Sequence, residues 1–347
     1  MPAPSTGREV RLAAIPSALP GPEHFRVTET PIPSPVAGQL LVRNTHFLVF
    51  AGLRTLISRE AEGFPFPPLK PGDPLFGPAL GEVVATGPGV ASIPVGTLVT
   101  HLLGWREYAV VDAGAVGVVP ADHPSPVALL STASAAYGAL TRLTRLQAGE
   151  TVLVTGAAGG VGTLAGQVAR LLGAGRVVGT TRTPAKAERL RQELGYDAVV
   201  TPEPGQAPGS SVPLRDRLAE AAPDGYDVII DNVGGEQLTA ALEVTRRGAR
   251  VGIVGALSGQ FDPALPGGVS PAAIDTFLLV KRSVSLLGYQ TVDHPGVEEE
   301  WRDRFTDWLR AGDIVYPCVT LPGIERAPQA LQELHEGRHF GTLVVSI

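Results

Sequence analysis

The residues from Thr151 to Gly162, TVLVTGAAGGVG, run from a short apolar segment into a glycine-rich turn and open onto LAGQVARLL. Strand, glycine turn and helix in that order gather backbone N–H groups and the positive end of a helix dipole at one point, the arrangement that holds a pyrophosphate. Glycines also serve close packing of strand on helix, so the turn takes its meaning from the residues C-terminal to it. A second strand, RVVGT, ends about 20 residues later, where the ribose-reading residue of a dinucleotide site belongs. No acid stands there to hold a free ribose 2′-hydroxyl. Instead the chain continues with Thr181, Arg182 and Thr183, with Lys186 one turn on, and such cations and hydroxyls suit a 2′-phosphate. Cations at a helix start oppose the dipole, so their presence implies another benefit. The pattern predicts NADP(H) rather than NAD(H).

Other chemistries are thinly supplied. Cys318 is the single cysteine, which excludes an intrachain disulfide and a Cys-pair zinc site. The seven histidines show no H-E-x-x-H or comparable spacing, so no metal is expected. A net charge of −6 with scattered arginines offers no basic field for nucleic acid. No apolar run reaches the ~18 residues of a membrane span, and the start, MPAPSTGREV, lacks the apolar core of a secretory signal. The expectation is a cytoplasmic globular protein. With 347 residues and 44% hydrophobic content it is long enough for two domains.

The elements that must position the turn read in two blocks. Residues 1 to about 125 are short β segments punctuated by Pro and Gly (EHFRVTETPIP, GQLLVRNTHFLVF, GEVVATGPGV, GTLVTHLL, REYAVVD, GAVGVVP), the pattern of a strongly bent β domain. The proline-rich run 64–78 predicts a surface loop. From Ser125 the character changes, and PVALLSTASAAYGALTRL predicts a helix. Strand 151–155, helix 161–172, strand 176–180, helix 184–194 (Thr183 as N-cap, Pro184 at the first position) and a strand near 198–200 form β-α-β-α-β, half of a doubly wound parallel sheet. After a polar loop (201–213) come helix 214–222, strand YDVIIDNVGG, helix 236–246, strand GARVGIVGAL, a Pro/Gly loop (259–271), helix 272–280 and strand SVSLLGYQ. That makes about six strands with right-handed crossovers. Residues 298–312 read as one more helix, and the closing segments VTLPG and GTLVVSI resemble the first block, which would place a cleft between the two domains.

The turn Ala157–Ala158–Gly159–Gly160–Val161–Gly162, DNVGG at 231–235, GWREYAV at 104–110 and the closing GRHFGTLVV together resemble the zinc-independent medium-chain dehydrogenase/reductase superfamily, most of all its NADPH-dependent alkenal, prostaglandin and curcumin reductases. The resemblance covers nearly the whole chain. It implies an α/β protein in which a GroES-like β domain (1–125 and 295–347) encloses a Rossmann domain (126–294) with a doubly wound parallel sheet. It further implies that Gly159, Gly160, Val161 and Gly162 hold the pyrophosphate and Lys186 the 2′-phosphate. Asn232 and the turn Gly255, Ala256, Leu257 and Ser258 would line the dinucleotide, with Tyr289, Gln290 and Thr291 near the nicotinamide. His339 stands where the family usually has Asn, and a histidine can also donate to a ribose or carboxamide oxygen.

Departures from the family pattern bear on mechanism. The first and third zinc-ligand positions of zinc-dependent relatives correspond to Phe50 and Ser131, and phenylalanine cannot bind zinc. Where the reductases commonly read VDPYMR this chain has Val49, Phe50, Ala51, Gly52, Leu53 and Arg54, and a tyrosine near the pocket is replaced by Phe261. Two hydroxyl donors are therefore missing. Hydride addition to a conjugated carbonyl creates an enolate that an acid usually protonates. Tyr137, in ASAAYGAL, and Tyr289 are the candidate donors; packing with a locally satisfied hydroxyl is the simplest role for Tyr137, and solvent or the cofactor ribose are other proton sources. A pocket lined by Phe50, Gly52 and Phe261 suits a large hydrophobic conjugated substrate. The expected reaction is zinc-independent, NADPH-dependent reduction of an activated C=C bond. The competing readings are a reductive cyclase of polyketide or tetramate natural-product pathways, in which a long-lived enolate closes a ring, a quinone oxidoreductase, and a dinucleotide-binding protein without turnover. The apolar last strand, SVSLLGYQ, predicts a homodimer paired through a sheet edge.

Overall fold

A computed structural model describes residues 5–58, 68–201, 212–265 and 267–347. The chain divides into two compact units, the first made of Met1–Ser131, Gln260–Gly268 and Cys318–Ile347 and the second of Thr132–Gly259 and Val269–Pro317. Part of the proline-rich loop predicted at 64–78 and most of the polar loop predicted at 201–213 lie outside the described residues.

In the first unit the chain lays down β1 (Thr6–Leu12), β2 (Phe25–Pro31), β3 (Gln39–Val49), the short helix α1 (Leu53–Leu56), β4 (Ala79–Thr86), β5 (Leu98–His101), β6 (Tyr108–Asp112) and β7 (Gly117–Val118). The pair β1–β2 is an antiparallel ribbon of its own. The long strand β3 pairs with β4 and β6, and its register against β4 shifts between Leu41 and Val42 and again between Asn44 and His46, irregularities that bend a strand. Its core holds Val10, Leu12, Phe47, Leu53, Ile57, Leu75 and Trp105, all without solvent exposure.

The stretch PVALLSTASAAYGALTRL, which passes from the first unit into the second after Ser131, does not form one helix. A single 3₁₀ turn over Pro126–Leu130 precedes an extended Ser131, and only then does α2 (Ser134–Gly138) start, widening at once into a turn in which Thr144 N bonds Ala139 O. The break lies at Ser131–Thr132, where short hydroxylated side chains favour non-helical backbone. Next come β8 (Thr151–Val154), α3 (Gly162–Leu171), β9 (Arg176–Thr180), α4 (Pro184–Leu194), β10 (Ala198–Val200), α5 (Leu214–Ala221), β11 (Tyr226–Asp231), α6 (Gly235–Glu243), β12 (Thr245–Ile253), α7 (Leu257–Phe261), α8 (Thr276–Arg282), β13 (Ser285–Gly288) and α9 (Val297–Ala311). The helix predicted at 272–280 starts instead at Thr276, because Asp275 caps it by accepting from Phe277 N and Leu278 N. Helix α4 starts as its residues predict, with Thr183 as N-cap and Pro184 first, and Gly195, left-handed at φ 69°, closes its last turn.

The six strands are all parallel in the order β10-β9-β8-β11-β12-β13, a doubly wound sheet as expected, in which the order of strand addition reverses between β8 and β11. Helix α3 lies close on this sheet because Gly166 faces the Tyr196 ring, where a Cβ would sit 2.2 Å from the ring carbon that bears the hydroxyl. The chain then returns to the first unit through β14 (Cys318–Pro322), α10 (Ala327–His335) and β15 (Thr342–Ser346), giving a second sheet ordered β14-β15-β3-β4-β5-β7. This return comes at Cys318, later than the 295 read from the sequence, because α9 packs Trp301 against Tyr137 of α2 at 5.7 Å between ring centres. No helix among the described residues is long and apolar enough to cross a membrane.

Candidate functional site

In a parallel sheet the strands deliver their carboxyl ends to one edge, and the crevice at the strand-order reversal is where ligands bind. The sequence-predicted cofactor residues of the second unit gather at that edge. Gly156 leaves β8 at φ +61° with its N–H donating to Thr180 Oγ1 at 3.0 Å, and Ala157 N donates to Thr180 O at 2.8 Å, so the turn is tied to the end of β9. Gly159 is exposed, Gly160 and Val161 half-buried and Gly162 buried at the first residue of α3. A Cβ on Gly162 would lie 2.4 Å from Gly156 O and 2.6 Å from Ala157 Cα, so the turn closes this tightly only with glycine there. The result is a backbone cradle at a helix N-terminus, which fits a diphosphate.

At the end of β9, Thr181 is buried, its N–H donating to Val200 O at 3.1 Å, and Arg182 is exposed. Lys186 is half-buried with its pKa pushed down, first by burial and then by the Arg182 cation. Two cations placed to repel each other are what a 2′-phosphate would reconcile. At the end of β11, Asn232 Nδ2 donates to Thr155 O at 2.8 Å and its backbone N–H to Thr155 Oγ1 at 2.9 Å. Past β12, Gly255 N donates to Asp231 O at 3.2 Å, Leu257 N to Asn232 O at 3.2 Å, and Ser258 Oγ meets Ser270 Oγ at 2.6 Å; Ala256 is half-buried with them. Beneath them is Asp231, which residue type and spacing do not single out. It is wholly buried, and burial raises its pKa while Thr155 Oγ1 (2.6 Å) and Gly234 N (2.8 Å) oppose the rise. Its acidity belongs to the tie between β8 and the DNVGG turn, and only its place in DNVGG hints at this.

Past β13, Tyr289 N donates to Ile253 O at 2.9 Å, Gln290 is exposed and Thr291 half-buried. The Tyr289 ring stacks on His294 at 5.0 Å and lies over Gly138, where a Cβ would be 2.1 Å from its hydroxyl oxygen. That hydroxyl is buried without a hydrogen bond of normal geometry, and burial raises its pKa against a lowering pull from the Thr291 side chain. Tyr137 differs. Its hydroxyl donates to Glu300 Oε1, and burial together with that bond raises its pKa to about 12, so its proton is held by the α2–α9 packing.

In the first unit, Phe50 packs against Gly77 and Gly52, where added Cβ atoms would lie 2.8 and 3.2 Å from its ring. Phe261 stands edge-on to His335 at 5.2 Å. The segment that starts at Gln260 is fastened to α1: Thr55 Oγ1 donates to Gly267 O at 2.7 Å, Arg54 Nη2 to Leu265 O at 3.1 Å, and Gln260 Nε2 to Thr55 Oγ1 at 3.3 Å. The structure therefore joins the stretch bearing Phe50 and Gly52 to the one bearing Phe261, through residues that their spacing in the sequence does not mark. His339 Nε2 meets the buried Glu333 carboxylate at 2.8 Å, and Arg326 pairs with the same acid. Among the described residues no group of three His, Cys, Asp or Glu side chains could hold a metal ion.

Comparison with known proteins follows the same division. Residues 160–311 match the family model described as zinc-binding dehydrogenase, and residues 8–119 the one described as N-terminal domain of oxidoreductase. Prostaglandin reductase-3 of Mus musculus is 30% identical, with 92% of this chain and 84% of that one covered. NADPH-dependent curcumin reductase of Escherichia coli is 28% identical over 97% of this chain and 95% of its own. Among solved structures, CurA from Vibrio vulnificus in complex with NADPH superposes with a TM-score of 0.85 at 26% identity, covering 98% of each chain.

Proposed function

Since the chain belongs to the zinc-independent branch of the medium-chain dehydrogenase/reductase family, we propose that it reduces the activated C=C bond of a large hydrophobic conjugated carbonyl compound. It is an NADP(H)-dependent oxidoreductase, and the cofactor, when bound, supplies the hydride. The observation that carries the reading is the gathering of the glycine turn, Thr181, Arg182, Asn232, the 255–258 turn and Tyr289 at one edge of one parallel sheet. The N–H groups of residues 159–162 bind the diphosphate, Arg182 and Lys186 hold the 2′-phosphate, and the carbonyl is activated by hydrogen bonds, since Phe50 presents no metal ligand. Phe50, Gly52 and Phe261 supply the apolar surface for the substrate. Tyr289 is the better proton donor of the two tyrosines, its hydroxyl lacking a hydrogen bond of normal geometry where that of Tyr137 is tied to Glu300.

The test is NADPH oxidation against matched panels of enones and quinones, with product mass and NMR. Turnover of enones to saturated ketones with no new C–C bond is the expected result. Preference for quinones, a cyclised product, or binding of NADPH with no oxidation would each replace the reading with its competitor. We further propose a homodimer paired through β13, the edge strand of the parallel sheet, flanked by Phe277 and Val280 of α8, which are 65% and 72% exposed.

A further inference from the structure

Arg54 has no part in the proposed reduction so far, yet it is the most anomalous side chain of the first unit. It is 1% exposed, and among the described residues no carboxylate pairs with it. Of the five N–H donors of a guanidinium, one is used, Nη2 to Leu265 O at 3.1 Å, while Nε is buried without a partner. Beside it His335, 4% exposed, places Nδ1 2.7 Å from Leu331 O. A carbonyl only accepts, so Nδ1 carries the proton and Nε2, also buried and unpartnered, is a bare acceptor. Burial and the Arg54 cation both disfavour a charge on that imidazole, which leaves Arg54 as the positive centre there. A desolvated guanidinium that finds neither a counter-charge nor its full set of acceptors among the described residues is costly unless something completes it.

Its position says what that something is. Arg54 lies one turn after Phe50, with its N–H on Ala51 O, and its side chain runs against the far end of the segment that begins with Gln260 and Phe261. Gly267 makes room for it at φ +89°, where a Cβ would be 2.8 Å from Arg54 Cγ. The cation thus stands where the two stretches assigned to the substrate pocket meet. These same stretches carry Gly52 and Phe261 in place of the tyrosines common in the resembling reductases.

We propose that Arg54 is the oxyanion-stabilising residue of the reduction, its spare N–H donors taking the carbonyl oxygen of the substrate. The inference rests on the C=C reduction proposed for this chain. Hydride adds to the β carbon, the C=C pair shifts to form a Cα=C bond, and the carbonyl π pair moves onto oxygen, where Arg54 holds the charge. A proton delivered to Cα then restores the carbonyl, so that the substrate gains one hydride and one proton while the nicotinamide is oxidised.

The experiment compares Arg54→Met and Arg54→Lys with wild type on an enone and on a nitroalkene of the same size, whose carbanion needs less help. Arg54→Met is expected to lower kcat on the enone about 100-fold, as loss of an oxyanion donor does, with a clearly smaller penalty on the nitroalkene and partial recovery in Arg54→Lys. Independently of turnover, 4-nitrophenol bound to the wild-type protein should ionise about one pH unit or more below its free value, as a phenol beside a cation does, and Arg54→Met should abolish that shift. An equal penalty on both substrates, or an unshifted nitrophenol in wild type, would overturn the proposal. Because the wild-type titration needs no variant, it decides even if Arg54→Met does not fold. Wild type that shifts nitrophenol but reduces no enone would sink the C=C reduction while leaving an anion site at Arg54.

Discussion

At the scale of single residues, charge and close approach separate roles that composition alone leaves mixed. Arg182 and Lys186 repel each other at the end of β9, so removing either should leave the fold intact and weaken NADPH selectively. Arg182→Ala and Lys186→Ala should each lower NADPH affinity about tenfold or more, the worth of a charge-assisted hydrogen bond, with NADH affinity little changed; competitive binding of the two cofactors checks this. Gly138→Ala would drive a methyl into the Tyr289 hydroxyl and should displace that ring. Stopped-flow measurement with solvent deuterium should then show a slowed protonation step in Gly138→Ala and Tyr289→Phe but not in Tyr137→Phe, whose proton is tied to Glu300. Arg54 shows where reading by spacing fails. In the run Leu53-Arg54-Thr55-Leu56 a charged side chain reads as the exposed side of a short helix, and nothing in the order of residues announces that the segment from Gln260 will cover it.

At the scale of elements, local signals were legible where one residue settles one end. Thr183, Pro184 and Gly195 bound α4 because cap, fixed φ and left-handed glycine each act within a turn. The interrupted helix at 126–143 was not legible, because Ala and Leu read as helical whether or not Ser131 and Thr132 break the run. Strand β5 ends in a group whose neutrality the sheet depends on. His101 accepts from Leu103 N at Nδ1 (3.0 Å) and donates from Nε2 to Asn44 Oδ1 (2.8 Å), and burial lowers its pKa from 6.5 to about 4. Below 6.5 the unfolded chain takes up a proton that folded His101 refuses until about 4, so stability contributed here is complete above 6.5 and declines as the pH falls. Between about pH 7 and pH 5 the first unit should lose roughly 2 kcal/mol from this group. Urea unfolding at the two pH values, compared with His101→Gln, which should have a flatter profile, tests this.

At the scale of the whole molecule, the doubly wound order followed from the alternation of elements and the return of the chain from the likeness of VTLPG and GTLVVSI to its opening segments, whereas the passage of residues 260–268 into the first unit did not follow, since it depends on bonds from Thr55 and Arg54 made across more than 200 positions. The proposed dimer predicts a mass in solution twice the 36.1 kDa of the chain, read by light scattering, and a monomer would remove β13 from the interface. The arrangement of the second sheet also sets an order of assembly. Strand β15 is inserted between β14 and β3, so the His46–Val49 end of β3, although β4 and β6 pair with the rest of the strand, lacks its partner on that edge until residue 346 has been synthesised. The parallel sheet, whose strands all precede residue 289, can form while the chain is still growing. During translation the first 131 residues must therefore wait with an open strand edge after the parallel sheet is complete, and that interval is when this protein is most exposed to mispairing with other chains.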